Sequence, residues 1–249
     1  MQLRMIGQRT GEPRFLVVVA MAGLVAANGS SALAHEFWID PVDFVVPRSA
    51  PLVADIRVGE GFEGSAYSFV PPNFTRFDLA LGDRLVPVEG RAGDRPALNM
   101  AVEGTGLAVV AHVTRDYRLT YTDWQKFVNF VTHKDALWVL EAHAERGLSQ
   151  DRVVERYSRH AKSLMAVDGG DGSDRPLGLL TEIVASANPY TEDLSGGMPV
   201  QVLYEGAPRQ DVQVELYDRA PDGSVAVTLH RTDAEGRVTL PVEPGHAYL

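Results

Sequence analysis

The stretch Leu107-Ala108-Val109-Val110-Ala111-His112-Val113 decides the fold class of this chain. Side chains of a β-strand point alternately to its two faces, so Val110 and His112 share one face. The other face carries Leu107, Val109, Ala111 and Val113. This pattern predicts a strand, and it places a single imidazole among apolar residues.

Similar signals surround this strand and predict β structure over residues 44–121. Ala54, Ile56 and Val58 alternate with two charged residues, which is the pattern of a half-buried strand. Two further apolar runs, 77–81 and 85–88, flank Gly82-Asp83 and predict a hairpin. The first domain is therefore predicted to be a β-sandwich over residues 35–190.

A helical insert is predicted within this domain, over about residues 122–165. Thr122 and Gln125 have the spacing of a capping box, and Gly147 is a typical helix stop. A third helix is expected to begin at Ser149, because a set of apolar residues follows it at helical spacing: Val153, Tyr157, Ala161 and Leu164.

The last part of the chain predicts a second, smaller domain over residues 195–249. Ser195-Gly196-Gly197 is typical of a linker, and short alternating strands follow it at regular spacing. This pattern favours an immunoglobulin-like β-sandwich. We expect that sandwich to be incomplete, because the chain stops within an apparent strand at Leu249.

Residues 1–34 have the order of a secretory signal peptide. Three arginines precede an apolar run over residues 15–27, and Ala32-Leu33-Ala34 forms a small-residue cleavage site. Cleavage after Ala34 predicts a periplasmic protein whose first residue is His35. The alternative is an uncleaved anchor, although the apolar run is shorter than the roughly 20 residues of a membrane span.

Composition narrows the chemistry further. The net charge is −10, which makes nucleic acid a poor partner. The chain has no cysteine, so thiolate metal sites and disulfides are excluded. The sequence contains no phosphate-binding loop, no dinucleotide-binding fingerprint and no nucleophile elbow.

A terminal His35 would carry an amine and an imidazole that can chelate one divalent transition metal ion. Imidazole suits zinc, copper, nickel and iron. We expect the ion to be nickel or cobalt, with copper or zinc as alternatives. We expect His112 to be the partner ligand, because a strand holds its side chain more rigidly than a loop. The acidic loop with Asp168, Asp171 and Asp174 does not match a calcium-binding pattern and is interpreted as a solvated turn.

Several separated segments resemble one bacterial family. They are Ala34-His35-Glu36-Phe37-Trp38-Ile39, Val58-Gly59-Glu60-Gly61-Phe62-Glu63-Gly64, Glu155-Arg156-Tyr157-Ser158-Arg159-His160-Ala161-Lys162 (expected as a helix), Tyr204-Glu205-Gly206-Ala207-Pro208 and Thr232-Asp233-Ala234-Glu235-Gly236-Arg237. The chain resembles a periplasmic domain family of unknown function that is often described as a nickel-uptake substrate-specific (NikM-like) component. The resemblance implies periplasmic location, a β-rich fold and nickel or cobalt handling, and it carries over His35 alone as a ligand.

Three function hypotheses follow. The first is a non-enzymatic periplasmic metal-binding protein that assists nickel or cobalt uptake, with an uptake transporter or outer-membrane receptor as partner. The second is an oxidative enzyme in which His35 forms a copper brace, which needs another histidine beside it. The third is a metal-free module that binds a receptor or a carbohydrate.

Overall fold

The computed structural model describes residues 36–249. The predicted signal peptide and His35 lie outside these residues. A short 3-10 helix, Pro71–Asn73, precedes the fifth strand. The strands of the first part are β1 (Glu36–Pro41), β2 (Val45–Val46), β3 (Leu52–Glu60), β4 (Glu63–Tyr67), β5 (Phe74–Leu81), β6 (Arg84–Pro87), β7 (Leu98–Met100) and β8 (Gly106–Thr114).

The middle of the chain contains two helices between two strands. They are β9 (Tyr117–Tyr121), α1 (Trp124–His133), α2 (Trp138–Glu145) and β10 (Val153–Tyr157). Asp123 caps α1 by accepting the Gln125 N–H at 2.9 Å, so the predicted cap at Thr122 was wrong by one residue. The helices pack on the two-stranded antiparallel sheet of β9 and β10, around buried Phe127 and Val131.

The predicted third helix is wrong, because its residues form β10 and β11 (His160–Val167). The helical insert therefore ends at Glu145 rather than near residue 165. Residues four apart share a face in a strand as well as in a helix, so Val153 and Tyr157 fit both patterns. Leu164 decides between them, because it lies on the opposite face of β11 from Ala161.

The first part is a sandwich of two sheets. One sheet has the order β1-β3-β4, with β7 also on β3, and the other has the order β2-β11-β8-β5-β6. Their facing sides share one core, with Ile56 and Leu98 from the first sheet and Phe77 and Val110 from the second. This arrangement confirms the predicted β-rich class.

The strand β8 is buried on both faces. Val110 faces the sandwich core, whereas Leu107 and Val109 pack under Leu177 and Leu179 of the loop that follows β11. This explains why β8 is a continuous apolar run, since a strand covered on both sides has no solvent-facing positions.

The last part of the chain forms a smaller pair of sheets. Its strands are β12 (Thr181–Ala185), β13 (Met198–Tyr204), β14 (Ala207–Pro208), β15 (Gln213–Arg219), β16 (Val225–Arg231), β17 (Arg237–Leu240) and β18 (Ala247–Tyr248). One sheet has the order β12-β13-β14, with β17 on β13, and the other has the order β16-β15-β18. Val202 and Leu216 join the two sheets in a common core. Because β12 pairs with β13, the predicted boundary at residues 190–195 falls between two paired strands.

Across residues 36–249, neither helix has the length and apolar character that crossing a membrane requires.

Candidate functional site

The predicted ligand His112 lies in the middle of the sandwich. Its side chain is 4% exposed and shares the face of Val110, as the alternation predicted. Three phenylalanine rings surround it, with ring centroids at 5.3 Å for Phe37, 5.2 Å for Phe74 and 5.0 Å for Phe77.

This environment keeps the His112 imidazole neutral. Burial lowers its pKa from 6.5 to about 4, because a charged imidazolium loses its hydration among apolar rings. The Nδ1 atom of His112 is buried and has no hydrogen-bond partner. Buried polar atoms are nearly always paired, so this nitrogen requires an explanation such as a water molecule or a bound ion.

Phe37 connects His112 to the start of the first strand. It lies on β1, two residues after His35, and its ring contacts the His112 ring. His35 itself lies outside the described residues. Within residues 36–249, no group of three or more His, Asp or Glu side chains is arranged to hold a metal ion.

The start of β1 is fixed by hydrogen bonds to its first residue. The carboxylate of Glu36 accepts the Gly61 N–H at 3.0 Å and the Tyr217 hydroxyl at 2.8 Å. The same hydroxyl lies 2.9 Å from Glu215, which also accepts two hydrogen bonds from Lys134 at 2.8 Å. This group of residues, which we call the Glu36–Tyr217 joint, ties the first sandwich to β15 of the second.

The pKa values of two residues in the joint are shifted in opposite directions. Burial raises the pKa of Tyr217, and the carboxylates of Glu36 and Glu215 beside its hydroxyl, which has one proton to donate, raise it further. Burial alone would raise the pKa of Glu215, but the hydrogen bond and charge of Lys134 outweigh it and hold that pKa below its usual value. The tyrosine therefore stays protonated and Glu215 stays ionised, so the joint persists at neutral pH.

A second polar cluster lies on the other face of the central sheet. The Lys162 ammonium contacts Asp174 at 2.8 Å and Glu182 at 2.9 Å, and the three side chains are 8%, 1% and 1% exposed. The interpretation of Asp174 as part of a solvated turn was therefore wrong. A lysine within the apolar strand from Ala161 to Val167 was the sequence signal for this cluster.

This cluster is saturated by its own hydrogen bonds. Glu182 accepts the N–H groups of three successive residues, 177–179, and Asp174 accepts those of Arg175 and Ala185. Buried charges require such partners, and together they fix the loop that covers β8. We therefore assign it a structural role.

The other described histidines do not gather around His112. His160 pairs with Val113 and so lies on the opposite face of the sheet from His112. Burial lowers the pKa of His160, and the charge of nearby Arg76 lowers it further. The His143 Nε2 atom bonds to the Ser149 carbonyl at 3.1 Å, and His246 bonds to Asp218 at 2.7 Å. The His143 and His246 rings therefore have local partners, and the His160 Nε2 atom lies 3.1 Å from the Ser158 hydroxyl, although its buried Nδ1 atom, like that of His112, has no hydrogen-bond partner.

An open groove of about 660 Å³ lies on the second pair of sheets. Its walls carry the side chains of Arg231, Thr232, Asp233 and Arg237. Arg231 is already engaged by Asp135 at 2.7 Å. The groove is shallow, and His112 does not line it.

Comparison with family models gives a match over residues 32–249, which includes all of the described residues 36–249. The matching family is described as a domain of unknown function (DUF4198). The chain belongs to this family. No curated protein and no solved structure matches the DUF4198 chain.

Proposed function

We propose that this DUF4198 protein is an exported, non-enzymatic carrier of a divalent transition metal ion, with nickel or cobalt as its cargo. The amine and imidazole of His35 and the imidazole of His112 would supply the ligands. The observation that carries the proposal is the buried, neutral His112 ring, whose Nδ1 atom has no partner and which contacts Phe37.

Covalent geometry supports the pairing of these two histidines. Consecutive Cα atoms joined by a trans peptide are about 3.8 Å apart. Residues two apart in an extended chain share a face. If β1 continued by one residue before Glu36, the side chain of His35 would therefore share the face of Phe37. His112 is in contact with Phe37 on that side.

The chemistry of the ligand set also supports the proposal. Metal ligands must be unprotonated, and His112 meets that condition at any pH well above its pKa of about 4. Proton competition would then come from the amine and the imidazole of His35, so affinity should fall as the pH drops below about 8 and further through about 6.5, the reference values of the two groups. Three nitrogen ligands leave coordination positions open, as a carrier needs when it passes its ion to an uptake transporter or receptor.

The periplasm is the proposed location, and the leader over residues 1–34 is the support for it. N-terminal sequencing of the exported product should read His-Glu-Phe-Trp. Recovery of an intact leader in the membrane fraction would contradict both the location and the terminal chelate.

Calorimetric titration of the processed chain with Ni²⁺, Co²⁺, Cu²⁺ and Zn²⁺ tests the proposal. His35→Ala, His112→Phe and a chain with one residue added before His35 should each lose much of the affinity. His133→Ala is the control, because it removes an imidazole that is about half exposed. Unchanged binding by the extended chain would exclude the amine as a ligand, and a wild type that binds no ion would favour the metal-free binding module.

A further inference from the structure

The free edge of β16 has an unusual composition for an exposed strand. β16 pairs with β15 on one side, and no other strand of residues 36–249 lies on its other side. The seven residues Val225–Arg231 contain no proline, and the single charged side chain is the terminal Arg231. Exposed edges are ordinarily protected by lysine, proline or a bulge, because their unpaired backbone groups attract another strand.

The hydrogen-bond pattern shows which backbone groups of this edge are free. Tyr217 on β15 exchanges both of its backbone hydrogen bonds with Leu249, at 2.7 and 3.0 Å. Its cross-strand partner Val227 therefore directs its N–H and C=O away from β15. Backbone groups alternate in direction along a strand, so those of Val225, Leu229 and Arg231 also point away from β15.

The same residues expose an apolar face. The side chains of Val225, Val227 and Leu229 are 38%, 51% and 64% exposed, and they project from one face because they alternate along the strand. Free backbone groups and exposed aliphatic side chains thus belong to the same residues. An added antiparallel strand would satisfy the former and bury the latter.

We propose that the added strand is β16 of a second copy of the chain. The two β16 strands then form an antiparallel pair with two-fold symmetry. A two-fold interface must be complementary to itself. With the axis at Thr228, Val227 lies opposite Leu229 of the second copy, and Val225 lies opposite Arg231 of the second copy. All four residues with outward-directed backbone groups then meet partners of the same kind.

Neighbouring registers fit less well. An axis at Val227 would place Arg231 opposite Gly223, in the turn before the strand, and an axis at Leu229 would place Val225 opposite Asp233, beyond its end. Like charges directly opposite each other destabilise a strand pair, and the register with its axis at Thr228 places none opposite each other. The Arg231 guanidinium is already paired with Asp135 and Asp211, so its aliphatic stem can pack on the valine.

Sedimentation equilibrium of the processed full chain, without added metal, tests this pairing over a wide range of concentration. The wild type should reach a dimer. Val227→Pro should remain a monomer, because it removes an outward N–H but no hydrogen bond to β15. Leu229→Lys should also remain a monomer, and Ile183→Lys, which changes a 49% exposed residue of β12, should dimerise like the wild type.

Hydrogen exchange gives an independent reading at the residue level. The amides of Val227 and Leu229 should exchange more slowly as the protein concentration rises, and this effect should be absent in Leu229→Lys. If Val227→Pro does not fold, Leu229→Lys decides the matter. A wild type that stays monomeric at every concentration, or a dimer that survives both β16 substitutions, would overturn the proposal.

Discussion

The buried His112 should make the stability of the metal-free protein fall steeply with acidity. Its pKa is about 4 in the folded protein and 6.5 when the chain is unfolded. Between these values the unfolded chain binds a proton that the folded protein does not, so acid favours unfolding. The stability is therefore complete above pH 6.5 and declines as the pH falls toward 4.

The magnitude follows from the difference between the two pKa values. One pKa unit corresponds to about 1.4 kcal/mol, so His112 alone should remove about 3 kcal/mol from the free energy of unfolding between pH 7 and pH 4. Carboxylates also titrate in this range, and a single pH series cannot separate them from the histidine. The comparison of wild type with His112→Phe isolates the imidazole, because phenylalanine keeps an aromatic ring among the three neighbouring rings and has no titratable group.

Urea unfolding at several pH values, with chelator present, measures this difference. The free energy of wild type minus that of His112→Phe should fall by about 3 kcal/mol from pH 7 to pH 4. His133→Phe is the control for removing an imidazole from the surface. Parallel pH curves for wild type and His112→Phe would refute the reasoning, because they would mean that the His112 ring is as well hydrated in the folded protein as in the unfolded chain.

Three further predictions concern the elements around this ring. Lys162→Met should lower the free energy of unfolding by about 3–5 kcal/mol, because it leaves buried Asp174 and Glu182 without their cation, whereas exposed Lys126→Met should have little effect in the same urea titration. Gly64→Ala should cost about 1–3 kcal/mol, because its Cβ would lie 2.6 Å from the Val58 carbonyl and 2.7 Å from Trp38, and Gly196→Ala, which has open space around it, should melt like wild type. Tyr217→Phe should cost about 1–2 kcal/mol and speed amide exchange at the start of β1, while Tyr204→Phe on the surface should do neither.

The strands of the first sandwich were predictable because their alternation is local. The β3 strand, the hairpin of β5 and β6, and the two faces of β8 all follow from residues within a few positions of each other. The sequence did not reveal that the His112 ring would lose contact with water. That burial depends on Phe37 of β1 and on Phe74 and Phe77 of β5, which are far from β8 along the chain.

The errors have the same physical origin. A spacing of four residues satisfied both helix and strand, so the choice for residues 153–164 depended on pairing with β8 and β9 rather than on the local pattern. Likewise, Asp174 resembled a surface residue because glycine and serine precede it and arginine follows it. Its burial comes with its partners Lys162 and Glu182, twelve and eight positions away. Long-range partners therefore decided where local patterns allowed two outcomes.

The second sandwich restrains the start of β1, next to which the proposed metal site would lie. A terminal ligand binds a metal well only if the chain end is held in place, since frayed ends lose that order. β15 supplies this restraint, because Tyr217 bonds to Glu36 at 2.8 Å and the Arg219 guanidinium lies 4.4 Å from the centre of the Phe62 ring beside the same strand end. If the proposed site is correct, a substitution at Tyr217 should weaken metal binding although the residue is not a ligand. A Tyr217→Phe chain that exchanges faster at Glu36 yet binds metal as tightly as wild type would show that the site does not depend on an ordered terminus.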